Sequence, residues 1–187
     1  INAMLITHSH YDHVGGVDDL RPFCVFGDID VYADPISEKS LRQTVPYCFA
    51  EHLYPGVPKI KLHQLNPHEH LQVNELSVLP FRVMHDKLPI LGYKIGKLAY
   101  ITDMKTIPEE EIALLQDIDV LVVNALRFTK EHHSHMLVDE AISFAGRTSA
   151  KRIFFTHMCH DIGLHKEVNK ILPHGIELAY DGETVEI

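Results

Sequence analysis

Met4-Leu5-Ile6-Thr7-His8-Ser9-His10-Tyr11-Asp12-His13-Val14-Gly15-Gly16 places three imidazoles and a carboxylate within six consecutive positions, directly after a short apolar run. Alternate side chains of an extended segment share a face. The spacing therefore predicts that His8, His10 and Asp12 point the same way where a strand ends, with His13 swinging in from the turn. Gly15-Gly16 lets the backbone turn sharply afterwards. A pocket edge rich in nitrogen with an added carboxylate suits Zn²⁺, Fe²⁺ or Mn²⁺. A solvated polar loop is the plainer alternative, but it does not account for the cluster's place at the end of an apolar strand.

The remainder of the chain sets the frame for that motif. Its 187 residues suffice for one domain, read as 1–187. The 45% apolar and 23% charged content is that of a globular protein. No apolar run approaches a membrane span and no signal peptide is visible. The chain opens at Ile1-Asn2-Ala3 and enters the motif strand at once, so a further upstream segment is expected. A net charge of −9 argues against a general nucleic-acid surface. Cys24, Cys48 and Cys159 are odd in number and irregularly spaced, which favours a reducing cytoplasm over a disulfide framework.

Short apolar runs predict strands at Met4–Thr7, Phe23–Phe26, Leu76–Met84, Leu91–Ile95, Leu98–Thr102, Val120–Asn124, Ile153–Thr156 and Glu177–Tyr180. Helices are expected over Pro35–Thr44, with Asp34 as N-cap, and over Pro108–Gln116, Leu137–Arg147 and His165–Leu172. The alternation indicates an α/β layered domain. Val45–Leu65, with Pro46, Pro55 and Pro58 among aromatics, reads as an irregular loop. Such a loop covers a site, pairs subunits as in a homodimer, or is plain packed surface.

Three more metal-type residues terminate apolar runs. His85 follows Phe81-Arg82-Val83-Met84, Asp103 follows Leu98-Ala99-Tyr100-Ile101-Thr102, and His157 follows Ile153-Phe154-Phe155-Thr156. A pocket above a sheet would gather such strand ends.

On these residues the chain resembles hydrolases of the metallo-β-lactamase superfamily. The resemblance rests on His8-x-His10-x-Asp12-His13, His85, Tyr100-Ile101-Thr102-Asp103 and His157. Within the superfamily it is most similar to the PhnP-like phosphodiesterases, those resembling phosphoribosyl 1,2-cyclic phosphate phosphodiesterase. The stretches Val83–Tyr93, Asn124-Ala125-Leu126-Arg127 and Thr156-His157-Met158-Cys159-His160-Asp161 carry this finer likeness. The resemblance implies an αββα sandwich whose N-terminal strands are not represented in this chain. It also implies two divalent metal ions, zinc or manganese and sometimes iron. His8, His10 and His85 would hold one and Asp12, His13 and His157 the other, with Asp103 bridging.

The implied activity is hydrolysis of a small cyclic or ribose-linked phosphodiester by a metal-bridging hydroxide, with Asp12 and Asp103 in the catalytic machinery. His135, in His132-His133-Ser134-His135, is the candidate for assisting the leaving oxygen. The alternative is that Ser134 caps the next helix and His135 is exposed. His132 and His133 are read as ordinary surface residues. His160, Asp161, His165 and Arg127 are candidates for orienting ligands or touching substrate, and Lys87 for pairing with phosphate. Three other functions share the core: thioester or lactone hydrolysis, RNA 3′-end processing, and a non-catalytic metal-binding scaffold. The acidic chain lacks the basic element that RNA would want. Metal occupancy without turnover would identify the scaffold.

Overall fold

A computed structural model describes residues 1–187. Its strands form two sheets. The first is wholly parallel, in the order β1 (Ala3–Leu5), β2 (Ile29–Ala33), β3 (Ile60–Gln64). The second has seven strands in the order β10-β9-β8-β7-β6-β5-β4. These are β4 (Leu71–Val73), β5 (Leu76–His85), β6 (Leu88–Ile95), β7 (Leu98–Ile101), β8 (Val120–Asn124), β9 (Arg152–Thr156) and β10 (Ile176–Leu178). The β4–β7 portion is antiparallel and the β7–β10 portion parallel. Four helices complete the fold: α1 (Tyr11–Val14), α2 (Pro35–Thr44), α3 (Val138–Ala145) and α4 (His165–Val168).

Side-chain parity sorts the apolar residues into layers. On β6, Leu91, Tyr93 and Ile95 pack with Val78, Leu65, Leu5 and Tyr32, which joins the two sheets. Ile90 faces the other way, with Phe81, Val83, Ile101, Leu121, Val123 and Phe155, into the core under α3 and the 3₁₀ segment Glu109–Asp117. The outer face of the small sheet uses Ile29, Val31 and Ala33 against Leu41 of α2 and Val14 and Val17 of the first turns. The layers are therefore helix, sheet, sheet, helix, an αββα sandwich.

Polar bonds fix the sheets against each other. Tyr93 Oη donates to the Ile6 carbonyl at 2.6 Å, and the Leu91 N–H donates to the Thr7 carbonyl at 2.9 Å. This ties the motif segment to β6. Asp34 caps α2 through Ser37 N–H at 2.8 Å, while its other oxygen meets Arg82 of β5 at 3.3 Å. Glu111, also buried, accepts from the Arg82 N–H at 3.2 Å and closes an unpaired stretch of the β5 edge.

Several expectations are corrected. Phe23–Phe26 is a 3₁₀ turn, entered from Pro22 and closed by Gly27 at φ +132°. Its four apolar residues do not alternate with polar ones, and Phe26 is 90% exposed. β2, β3 and β4 were not expected. β2 and β3 are five-residue strands in which Asp30 or His63 interrupts the apolar pattern, and β3 takes the end of the stretch read as a Val45–Leu65 loop. The expected helix at Pro108–Gln116 is a tighter 3₁₀ segment, and that at His165–Leu172 is helical over four residues before Pro173. No helix is long and apolar enough to cross a membrane.

Gly92 of β6 lies opposite Phe81 of β5, and a Cβ there would stand 2.7 Å from Phe81 Cζ. Gly92→Ala is expected to lower unfolding stability by about 1–3 kcal/mol through overpacking. Adding Phe81→Leu should recover part of that loss, seen as a coupling in urea-denaturation double-mutant cycles. Additive effects would contradict this close packing.

Candidate metal centre

The motif strand ends at Leu5, earlier than its apolar run suggests, and His8 and His10 occupy the segment beyond it. At Tyr11 the chain begins a helical turn, so Asp12 leaves the His8–His10 face and joins His13. This corrects the expectation that His8, His10 and Asp12 share one strand face. The other candidates arrive at strand ends. His85 closes β5, Asp103 lies two residues past β7, and His157 follows β9.

Asp103 and His157 both have φ of +56°. Left-handed backbone at a non-glycine residue costs roughly 1–3 kcal/mol. The surroundings hold it in place. Buried Asn124, at the end of β8, accepts from the Met104 N–H at 2.8 Å and donates to the Met104 carbonyl at 3.0 Å. The turn thus aims the Asp103 carboxylate, 1% exposed, into a ring of imidazoles.

Two ligand groups result. His8, His10, His85 and Asp103 form one, and Asp12, His13, His157 and Asp103 the other; in each, the ligand atoms lie within 4.8 Å of one another. Asp103 belongs to both. Its Oδ2 is 3.7 Å from His8 Nε2 and 3.3 Å from His13 Nε2, and its Oδ1 is 3.3 Å from His157 Nε2. Asp12 Oδ2 is 3.2 Å from both His13 Nε2 and His157 Nε2.

The electrostatics favour neutral imidazoles at His8 and His85 but not at His13, beside ionised carboxylates. Burial, reinforced by the charge of His13, pushes His8 down to about 3. Burial also lowers His85. Burial opposes ionisation of Asp103, yet the neighbouring imidazole of His13 and hydrogen bonds from His135 and Thr102 overcome it and hold the carboxyl below its ordinary range. His13 is raised because Asp103 and Asp12 outweigh its burial. The His85 Nδ1–H donates to the carbonyls of Asp103 at 2.7 Å and Ser134 at 3.0 Å, which leaves Nε2 bare.

Whether this donor set fits a cation is tested by its unpaired atoms. His8 Nε2, His13 Nε2 and His157 Nδ1 are buried and have no hydrogen-bond partner. Buried polar atoms are rarely left so. Two orphaned Nε2 atoms converge on Asp103, and coordination of a divalent ion would satisfy both. The set fits divalent metal binding.

The other predicted residues divide. His135 Nε2 lies 3.2 Å from Asp103 Oδ2, and its ring stacks on His157 at 5.0 Å between centroids. Ser134 does not cap α3; the Leu137 N–H there donates to Glu140 at 2.7 Å. His160 is exposed and faces Asp161 at 3.5 Å. Asp161 pairs with Lys130 at 3.2 Å and lies 3.9 Å from Arg127. Arg127 Nε donates to the Lys130 carbonyl at 3.0 Å. His165 Nε2 is 2.8 Å from the Leu178 carbonyl, between α4 and β10. Lys87 lines a pocket of about 310 Å³ with His10, His85, Asp86, Leu88, His133 and Ser134. A larger hollow, about 510 Å³, lies against α3 and contains none of the ligand residues.

Sequence reasoning missed Thr102, Asn124, Ser134 and His132. Thr102 Oγ1 donates to Asp103 Oδ1 at 2.5 Å. Asn124 carried a readable signal, because it ends an apolar strand as the ligands do. His132 and Ser134 carried none beyond the local histidine density.

A family model described as a beta-lactamase superfamily domain matches residues 1–158. A crystal structure of a diphosphatase from the PhnP family superposes with a TM-score of 0.89 and 34% identity, covering 100% of this chain and 72% of that one. An octanoyltransferase from Porphyromonas gingivalis is 44% identical over 182 residues, 97% of this chain and 37% of that protein. A ribonuclease Z from Thermosynechococcus vestitus is 27% identical over 99 residues, 51% of this chain and 23% of that protein. The chain therefore spans well under half the length of either of these two curated relatives.

Asp103→Ala should weaken retention of divalent metal by roughly 10–100-fold, as loss of a ligand-holding group does at least. Elemental analysis after dialysis, with circular dichroism as a folding control, reads this. Undiminished metal content in a folded variant would remove Asp103 from the ligand set.

Proposed function

We propose, from the premise that this chain belongs to the beta-lactamase superfamily and within it to the PhnP family, that it is a metal-dependent hydrolase of small phosphodiesters. The observation that carries the reading is the shared carboxylate of Asp103, set between two ligand groups with the His135 N–H directed at it. The ligands would hold two divalent ions, zinc or manganese, with iron also compatible; nitrogen and oxygen donors of this kind do not choose among them. Such ions supply Lewis-acid polarisation of phosphoryl oxygens and acidification of water.

The chain's own residues supply the rest. Two divalent ions carry +4, and the carboxylates of Asp12 and Asp103 offset 2 of it. The remaining positive charge attracts an anion despite the acidic surface. Asp103 draws the two ligand groups together, and the carbonyls of Asp103 and Ser134 fix the His85 ring. His135 presents Nε2 on the same side as the Asp103 carboxylate, where a proton can be handed to a leaving oxygen. The pocket beside His10 and His85 has the volume for a small ester, and the Lys87 ammonium lies on its wall. The likeness to a diphosphatase supports a phosphorus–oxygen bond as the one cleaved. Under this reading residues 1–187 work as one domain in the cytoplasm, with all three cysteines free.

A second reading is hydrolysis of an acyl thioester on the same core. It is favoured by the 44% identity to an octanoyltransferase, of which this chain covers 37%.

The test is chelation, reconstitution with Zn²⁺ or Mn²⁺, and assay of bis-p-nitrophenyl phosphate beside an octanoyl thioester. The expected result is metal-dependent cleavage of the phosphodiester alone. His135→Ala should lower kcat by about 100-fold with metal content unchanged. Thioester turnover without phosphodiesterase activity would replace the first reading by the second.

A further inference from the structure

No residue from Phe128 to His135 takes part in a backbone–backbone hydrogen bond. These residues form a loop that leaves the sheet after β8 and returns ahead of α3. At its base the Leu126 N–H donates to the Met136 carbonyl at 2.9 Å, and the Val138 N–H to the Arg127 carbonyl at 3.0 Å. The returning limb lies on the metal centre. The Ser134 carbonyl accepts from the His85 Nδ1–H at 3.0 Å, the Ser134 N–H donates to His132 Nδ1 at 3.4 Å, and His135 Nε2 stands 3.2 Å from Asp103 Oδ2. A segment without ladder bonds has low local stability, so its side chains decide how closely it is held.

The outgoing limb is tied at Lys130. That residue has left-handed backbone, with φ of +63°, a conformation that persists only where its surroundings impose it. Arg127 Nε donates to the Lys130 carbonyl at 3.0 Å, and Lys130 Nζ donates to Asp161 Oδ2 at 3.2 Å. Arg127 Nη1 lies 3.9 Å from the same oxygen. The exposed ring of His160 faces the other Asp161 oxygen at 3.5 Å. Asp161 stands on a fixed post. It lies in the turn that follows β9 and His157, closed by the Ile162 N–H on the Cys159 carbonyl at 3.0 Å, and Ile162 is buried in the main core. The Cys159 N–H donates to the Leu126 carbonyl at 2.9 Å, which fastens this turn to the base of the loop. Asp161 thereby joins the loop that carries His135 to the one that carries His157, two rings stacked at 5.0 Å.

We propose that Arg127, Lys130 and Asp161 form an ionic latch that keeps the loop Phe128–His135 lowered on the metal centre, with Asp161 a positioning residue that acts on His135 through Lys130. The Lys130 side chain is 71% exposed and that of Asp161 34%. Such a pair shifts the opening of the loop by a small factor and does not lock it. The latch itself does not depend on the phosphodiesterase reading; its effect on turnover does.

Amide hydrogen exchange read by mass spectrometry, on the whole chain reconstituted with Zn²⁺, measures loop opening. Asp161→Asn keeps the shape of the side chain and removes its charge. Exchange across Phe128–His135 should quicken about twofold to fivefold, with β8 and β9 unchanged. Asp161→Glu keeps the charge and should stay near the unmodified protein. Lys130→Met should resemble Asp161→Asn, and the double variant should add little to either, as for two partners of one interaction. In about 1 M sodium chloride the unmodified protein should approach Asp161→Asn, and that variant should hardly move, because salt screens exposed charges. With a phosphodiester substrate, kcat of Asp161→Asn should fall by up to the same factor, with KM and metal content level. Loop exchange unmoved by Asp161→Asn at low salt would overturn the latch, as would additive effects in the double variant. Quickened exchange with unchanged kcat would remove the positioning role. If the unmodified protein cleaves no phosphodiester, the functional reading falls, and the exchange rates still decide the latch.

Discussion

The buried carboxylate of Asp103 is the constraint around which the site is organised. Removing an anion from water is costly unless it is paired and hydrogen-bonded. Here Thr102 and His135 donate to it, and the ring nitrogens of His8, His13 and His157 stand 3.3–3.7 Å away. None of these contacts forms unless β7 releases the chain into a left-handed turn. Asn124 on the neighbouring strand clamps that turn through both polar groups of its side chain. The parallel pairing of β7, β8 and β9 delivers Asp103, Asn124 and His157 to one edge of the sheet. The bonds from Tyr93 and Leu91 to Ile6 and Thr7 deliver the first motif to the same place. The sandwich thus brings segments 145 residues apart into contact, as Asp12 and His157 show.

Much of the candidate site is legible because each of His85, Asp103 and His157 ends an apolar run, and a strand end above a sheet is where polar groups gather. The parity within the first motif is not legible in the same way, because the chain leaves extended backbone at Tyr11. The helical turn at Tyr11–Val14 is too short for an apolar period to announce it. The small sheet was largely hidden for a related reason. Its strands are short, and Asp30, Tyr32 and His63 occupy the alternate positions with mixed chemistry. The roles of His132 and Ser134 depend on a loop folding over residues that are some 30 and 50 positions earlier in sequence, Asp103 and His85. No local pattern encodes that approach.

The donor atoms of the candidate site and the wall of the pocket beside it come from different parts of the molecule. The ligands come from strand ends held by the sheets, and they fit divalent cations whatever the substrate. The pocket wall comes from the β5–β6 turn, with Asp86 at φ +55°, and from the loop carrying His133 and Ser134. Loops vary at little cost to the core beneath them. One scaffold can therefore resemble both a diphosphatase across 72% of its length and a part, 37%, of an octanoyltransferase.

A local regularity links the functional groups to their neighbours. A serine or threonine precedes His8, His10, Asp103, His135 and His157 in sequence. In three cases that hydroxyl contacts the following side chain: Thr7 at 3.1 Å from His8 Nδ1, Thr102 at 2.5 Å from Asp103 Oδ1, and Ser134 at 3.1 Å from His135 Nδ1. Successive side chains of a strand point to opposite faces, so such contacts are unavailable inside the sheet. They become available where the chain leaves it, which is also where the ligands lie. At His10 and His157 no such contact forms, and the His157 Nδ1 is one of the three orphaned buried atoms. A hydroxyl can donate or accept, so it suits either nitrogen state of the ring beside it. A short side chain on the adjacent residue fixes the ring without a distant partner, which makes the aim of each group depend on backbone turn geometry more than on surface composition.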